Sequence, residues 1–368
     1  METIVPGTAL GLPEIRPGTT TFSATRRGQS LFYFDFWEWK LQLILWKFAP
    51  PVLVILGTMF NGMTIVVVIQ RQFGKSSTRI LLISLAVADT GVLLTKLVRR
   101  WGEKTFNLDF PYALSVFCPI DVFFIYFFRH FSSWGITLIT IERWISVTHP
   151  LRAKMLCTRK NTYIALSISV VVISALNSHI LFFYEILDTK NVECYIRDGT
   201  LYKSFWLMKW YWIDLMAFSG LPFLAISYCN CSILYQVLQG QKMRNKLQNS
   251  GDHSVASAAK LTSMTRMLTI VSVVFILLTL PVSVHFIVYG QLIVSFVTQK
   301  QIAQYVLSYT VTNLLSYVNN TINFLLYCLS GTQFRREVFQ MFRCRKSGNG
   351  RKSSQTHSRS SRLQTRSD

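Results

Sequence analysis

The chain has 368 residues, of which 51% are hydrophobic and only 15% charged; soluble domains carry about a quarter charged residues, so an ordinary soluble enzyme is disfavoured. Its 38 Lys and Arg against 17 Asp and Glu give a net charge of +21, which alone would suit a nucleic-acid binder. Where the charges sit decides between the two readings.

In chain order, apolar runs long enough to cross a hydrocarbon layer of ~30 Å lie near 45–70, 79–98, 116–142, 161–184, 205–237, 264–290 and 303–329. In lipid every backbone group must be bonded within its own segment, so these runs read as helices despite their β-branched residues. Buried strands of four to eight residues would need turn signals inside each run, and none is present. The expected fold class is an all-α membrane protein: an N-terminal segment 1–44, a seven-transmembrane helix bundle 45–330, and a short amphipathic helix with a basic tail over 331–368.

Loop charge sets the orientation. The loops at 71–79, 144–160 and 238–266 hold twelve Lys or Arg, and the tail after 330 holds ten more, against only Asp252, Glu337 and Asp368. The N-terminal region and the other three loops hold eleven bases and ten acids. The basic side is therefore expected in the cytoplasm and the N-terminus outside, at the plasma membrane, and topology accounts for most of the excess charge. Residues 1–30 have no signal peptide of the usual shape, so the first span is expected to act as signal anchor. The Asn-x-Ser/Thr sequences at Asn230 and Asn319 fall inside helical runs. Of seven cysteines, only Cys118 and Cys194 fall on the outer, oxidising side, and they are expected to form a disulfide.

Ionisable groups inside the spans are costly and mark function by default. They are Asp89, Lys96, Asp121, Arg129, Glu142, Arg143 and Asp214, joined by His130, His179 and His285. Cys118, Asp121, Ile125, Arg129, Ser132, Ile136, Ile139 and Arg143 recur at three- and four-residue spacing and share one face of the third helix, which must point into the bundle.

With these residues in place the chain resembles a rhodopsin-like G-protein-coupled receptor over nearly all of its hydrophobic part. The landmarks are Gly57 and Asn61, the Leu85-Ala86-Val87-Ala88-Asp89 run, Cys118 twenty-five residues before Arg143 in Glu142-Arg143-Trp144, Pro222, Phe275 and Pro281, then Asn319, Asn323 and Tyr327 followed by Phe334-Arg335-Arg336. The overall pattern is most similar to invertebrate-type short neuropeptide (FMRFamide-like peptide) receptors. Departures are equally plain: Trp144 replaces the family's tyrosine, Asn323-Phe324-Leu325-Leu326-Tyr327 lacks its proline, Thr279 stands at the helix-six tryptophan position, and Asn230 stands where helix five commonly has tyrosine.

The resemblance implies that Glu142, Arg143, Asn323 and Tyr327 serve coupling to a heterotrimeric G protein. It also excludes ligands. Tyr317 occupies the retinal-lysine position and Ile125 the amine-anchoring aspartate position, so retinal and small amines are not expected. The remaining pocket, with Lys96, Asp121, Ile125, Arg129, Trp212, Asp214, His285, Phe286, Tyr289, Tyr309 and Tyr317, suits an extracellular peptide carrying both charge and apolar side chains. A receptor for a lipid or anionic small molecule is the alternative, drawn by Lys96 and Arg129; a transporter or channel would need inverted repeats or broken half-helices, and there are none. Arg129 has either the ligand or Asp214 as partner, and Lys96 either faces the pocket or snorkels outward. Asp89, Ser132, Asn319 and Asn323 resemble the family's allosteric sodium site, with a hydrogen-bonded polar core as the other reading. No other cofactor and no catalysis is expected.

The tail after residue 343 mixes Arg with Ser and Thr and has too few apolar residues to fold. Its bases suit anionic lipid, its nine Ser and Thr after Lys346 resemble substrates of receptor kinases that recruit arrestin, and Cys344 is a candidate palmitoyl site. Nucleic acid is not an expected partner.

Overall fold

The computed structural model describes residues 36–70, 76–106, 117–186, 194–196, 202, 205, 209–246, 254–292 and 298–344. Within them the chain forms a seven-helix bundle with an eighth short helix: α1 (Trp37–Gln70), α2 (Ser76–Val92, a π turn Leu93–Leu97, then Val98–Phe106), α3 (Phe117–Thr148), α4 (Arg159–Asn177), α5 (Tyr211–Leu215, a π turn Met216–Gly220, then Leu221–Lys246), α6 (Ser254–Leu292), α7 (Gln299–Ser330) and α8 (Thr332–Cys344). A short helix, Pro150–Leu156, joins α3 to α4. Beyond α4 the chain makes a further helical turn, Ile180–Phe183, and then an antiparallel pair, β1 (Tyr184–Ile186) with β2 (Cys194–Ile196), in which Ile186 faces Cys194.

Among the described residues, six helices are long and apolar enough to span a bilayer. The seventh, α7, is more polar because it supplies Asn313, Asn319, Asn320, Thr321 and Asn323 to the interior. Its start is a capping box: the Thr298 hydroxyl accepts from the Gln301 N–H at 3.3 Å while Gln301 Oε1 accepts from the Thr298 N–H at 3.0 Å, so two otherwise orphaned donors are satisfied.

The helices outrun their apolar segments. α1 begins at Trp37, so its first turns fall within the residues read as an N-terminal segment, and α2 continues eight residues past the expected 98 to Phe106. Helices three to seven also extend at one end or both, and α8 runs on to Cys344. Hydropathy ends a span at the first charges, whereas a protein interior accepts charges that pair with one another.

Tight helix packing has a local cause at Gly57. A Cβ there would overlap Leu93 of α2 and stand 3.0 Å from the Thr321 hydroxyl of α7, so the three helices meet only around hydrogen. Toward the α8 end, Leu82, Leu85, Ile136, Ile226, Met267 and Phe324 form the main apolar core. α8 docks by burying Phe334 against the rings of Phe324 and Tyr327, 5.6 and 5.5 Å away. At the opposite end, Cys118, Val122, Tyr126, Ile180, Tyr184, Tyr202 and Trp210 make a second cluster. There Tyr202 stacks on Phe183 at 4.0 Å and meets His179 Nδ1 at 2.6 Å, and burial pushes the Tyr202 phenol above its ordinary range. Cys118 is fully buried and disulfide-bonded; the side chain of Cys194 lies outside the described residues.

Candidate functional site

A cavity sits in the amino-terminal end of the bundle, the end where α1 starts. Its wall is built from α1 (Trp46), α2 (Lys96, Arg99, Arg100, Glu103), α3 (Ile125, Tyr126, Arg129) and α7 (Tyr309, Asn313, Tyr317). Of the residues anticipated from the sequence, Lys96, Ile125, Arg129, Tyr309 and Tyr317 line it. Asp121 and Asp214 stand behind the wall, bonded to arginines that line it. His285 packs against the tilted rings of Tyr305 and Tyr309, with centroids at 4.5 and 5.4 Å. The side chain of Tyr289, like those of Phe286 and Cys344, lies outside the described residues.

Trp212 is a correction. It is 47% exposed and does not line the cavity. Two residues turn a helix by about 200°, so with Asp214 directed at α3, Trp212 is carried to the outer surface. Sequence reasoning missed Trp46, Arg99, Arg100, Glu103, Tyr126 and Asn313. The second, third and fourth of these follow Lys96 by three, four and seven residues, the spacing of one helical face, and could have been found that way. Trp46 is fixed by an indole hydrogen bond to Thr310 Oγ1 at 3.1 Å.

The cavity charges are mostly paired. Arg99 bonds Asp121 at 2.6 Å and Glu103 at 2.8 Å, and Arg100 bonds Glu103 at 3.3 Å. Deeper, Arg129 donates to Asp214 of α5, whose carboxylate also lies 3.2 Å from His130 Nε2. The Arg129 guanidinium rests over Tyr126 and Phe218, 4.9 and 4.6 Å from the ring centroids. Asp214, left open as one of two partners for Arg129, is thus the one bonded to it in this conformation. Lys96 turns inward, 5.8 Å from the Tyr317 ring centroid, and does not snorkel to the helix end.

Below lies a second, smaller cavity, bordered by Lys96, Arg129, Ser132, Phe275, Thr279, Asn319 and Asn320 among others. It occurs where Thr279 stands at the position of the family's tryptophan; the small side chain turns back to the Phe275 carbonyl at 2.7 Å. Asp89 is fully buried beside it and accepts from Ser132 Oγ at 2.5 Å, Asn320 Nδ2 at 2.7 Å and Asn323 Nδ2 at 2.7 Å. Asn320, not Asn319, therefore supplies the α7 donor next to Asn323, a difference of one residue and about 100° of helix rotation. The Oδ1 atoms of Asn319 and Asn323 are buried, and among the described residues no donor reaches them. Those two oxygens, with the Asp89 carboxylate and the Ser132 hydroxyl, are the hard oxygen donors a sodium ion takes.

At the α8 end the charges are closed off. Glu142 lies 3.3 Å from Arg143 and accepts from Ser77 Oγ at 2.6 Å and Thr78 Oγ1 at 3.0 Å; Arg143 donates to Thr78 Oγ1 as well. Arg143 is 2% exposed, so it is enclosed and not presented at the surface. Asn323 is likewise interior, on Asp89, and Tyr327 is buried against Phe334. Trp144 donates its indole N–H to Ser232 Oγ of α5 at 2.9 Å, and Asn230 of α5 bonds Ser272 of α6, Nδ2 to Oγ, at 2.8 Å.

The family described as 7 transmembrane receptor (rhodopsin family) matches residues 60–327. Similar proteins include the FMRFamide receptor of Drosophila melanogaster, 26% identical over 78% of this chain and 52% of that protein. A galanin-like G-protein coupled receptor of Caenorhabditis elegans is 24% identical, with 79% of this chain and 72% of the relative covered. The thyrotropin-releasing hormone receptor of Gallus gallus is 24% identical, with 78% and 76% covered. The chain spans about half the length of the first of these relatives and roughly three quarters of the other two. This is a family of receptors and not of enzymes. With the seven-helix bundle, the enclosed Glu142-Arg143 pair and a match from α1 through α7, the chain belongs to the rhodopsin family of seven-transmembrane receptors.

Proposed function

We propose that the chain is a multi-pass receptor of the plasma membrane, its N-terminus outside, that takes a peptide between its helices and activates a heterotrimeric G protein inside. The observation that carries this reading is the pairing of two features on α3: a charged, aromatic cavity around Arg129, and an enclosed acid–base pair at Glu142-Arg143. Fourteen residues at 1.5 Å each separate the two arginines by roughly 21 Å. An agonist acts by binding more tightly to a state in which α6 moves away and Arg143 is released; without that difference in affinity it would shift nothing. The relatives named for FMRFamide, galanin-like and thyrotropin-releasing hormone reception support a peptide as ligand.

The same reading takes in the finer roles. Cys118 and Cys194 would form a disulfide tying α3 to β2. Asp89, Ser132, Asn319 and Asn323 would hold a sodium ion that favours the resting state. The tail would be phosphorylated by receptor kinases and recruit arrestin, its bases would lie on anionic lipid, and Cys344 would accept a palmitoyl chain.

The test is a peptide library applied to cells expressing the receptor, read by second messenger. A peptide hit whose response is lost in Arg143→Ala, with binding retained, is the expected result. Full coupling in Arg143→Ala, or responses confined to non-peptide ligands, would overturn the reading.

A further inference from the structure

Each arginine on the cavity wall has a carboxylate: Arg99 has Asp121 and Glu103, Arg100 has Glu103, and Arg129 has Asp214. Lys96 is different. Among the described residues no acid forms an ion pair with it, and its ammonium faces only the Tyr317 ring at 5.8 Å, a contact that attracts a cation without neutralising it. It borders both the outer cavity and the smaller one beneath, so the uncompensated charge stands on the wall the two share. Arg99 and Arg100, three and four residues on, lie on the same helix face and add repulsion. Four bases thus meet three acids around this space, and the surplus cation is at Lys96.

An unpaired cation at membrane depth is unfavourable until something brings it an anion. Three acids of the receptor itself are already engaged. We infer that the ligand delivers a carboxylate to Lys96, so that the receptor selects acid-bearing ligands: for a peptide, a free C-terminus or an Asp or Glu side chain lodged at the buried end. The inference rests on the cavity being the peptide site and narrows which peptides enter it. Tyr317 would flank the carboxylate, and the apolar remainder of the ligand would lie against Trp46, Ile125 and Tyr126.

The experiment uses the full-length receptor and paired probes: a pool of four- and five-residue peptides made as free acids and as C-terminal amides, and medium-chain carboxylic acids with their methyl esters. Second-messenger potency is measured in cells expressing the wild type, Lys96→Gln and Lys96→Arg at matched surface levels. Melting temperature of the solubilised receptor is measured with each pool. The acid form of an active probe is expected to be about tenfold to a hundredfold more potent than its neutral form, the size of one charge-assisted bond. Lys96→Gln brings that ratio close to one, and Lys96→Arg keeps it. A hit that survives amidation but fails when its Asp or Glu becomes Asn or Gln assigns the acid to a side chain instead of the C-terminus. Acids active only outside the peptide set would overturn the peptide reading and leave the role of Lys96 standing. An active probe equally potent in neutral form, or an acid preference unchanged in Lys96→Gln, overturns the inference. If no probe signals, the acid pool must still raise the wild-type melting temperature above the amide pool and lose that advantage in Lys96→Gln; equal shifts, or none, also overturn it.

Discussion

Arg129 and Asp214 make the most exacting test of the bundle interior. The two lie 85 residues apart in sequence, on α3 and α5, with side chains only 7% and 16% exposed. Arg129→Gln removes the cation and leaves Asp214 beside His130; Asp214→Asn leaves Arg129 over two rings, its Nε already lacking an acceptor among the described residues. Breaking a buried pair by removing one partner costs about 3–5 kcal/mol, against a total stability of about 5–15 kcal/mol. At roughly 2–4 °C per kcal/mol each single change should lower the melting temperature of the solubilised receptor by on the order of 10 °C and cut surface expression several-fold. The double change Arg129→Gln with Asp214→Asn removes both charges and permits a neutral amide–amide contact, so most of the loss should return. Flow cytometry of tagged receptor and thermal melting of purified receptor measure the cycle. Losses that simply add in the double variant would mean the two charges do not depend on each other, and the bridge between α3 and α5 would have to be abandoned.

Three further outcomes are expected. Cys118→Ala and Cys194→Ala should each reduce surface expression and ligand binding together, a native disulfide contributing about 2–5 kcal/mol, and non-reducing peptide mapping that found both thiols free would refute the proposed pairing. Glu142→Ala, which frees Arg143, should raise basal second-messenger output, with Thr78→Val doing so more weakly because it removes one hydroxyl shared by both side chains; basal output at wild-type level in both would count against the enclosed pair as the restraint. Asp89→Asn should abolish any dependence of agonist affinity on sodium between sodium-free and ~0.15 M salt, a range set by physiological ionic strength, and a wild-type receptor indifferent to sodium would remove the ion from the proposal.

The number of helices and their order were legible because an apolar run of span length in lipid has few alternatives to a helix. The helix ends were not. Arg99, Arg100 and Glu103 end the apolar run of α2, yet they continue the helix at the cavity wall because they neutralise one another and Asp121. Residues sharing a face of one helix were readable from spacing, which is how Ile125 and Arg129 were placed together. Which neighbour on another helix they meet depends on crossing angle and rotation, so the family resemblance pointed to Asn319 where Asn320 reaches Asp89. The π turns at Leu93–Leu97 and Met216–Gly220 widen the two helices at the levels of Lys96 and Phe218, and no residue pattern announced them. Trp212 was assigned by residue type, a large aromatic near an acid, without the two-residue rotation that sends it outward.

The hydrogen bond from Asn230 to Ser272 has a consequence for how quiet the receptor is without ligand. It fastens α5 to α6 by a side-chain bond that is partly buried, and bonds of this kind between membrane helices are worth about 0.6 kcal/mol on average and up to ~1.7 kcal/mol. If α6 can move only after this amide lets go, the open state is rarer at rest by roughly threefold to twentyfold. A tyrosine at that position has no amide with which to grip a serine; here the same place on α5 holds a latch. The receptor is thereby biased toward silence, and an agonist must supply that much more discrimination between the two states before any signal passes.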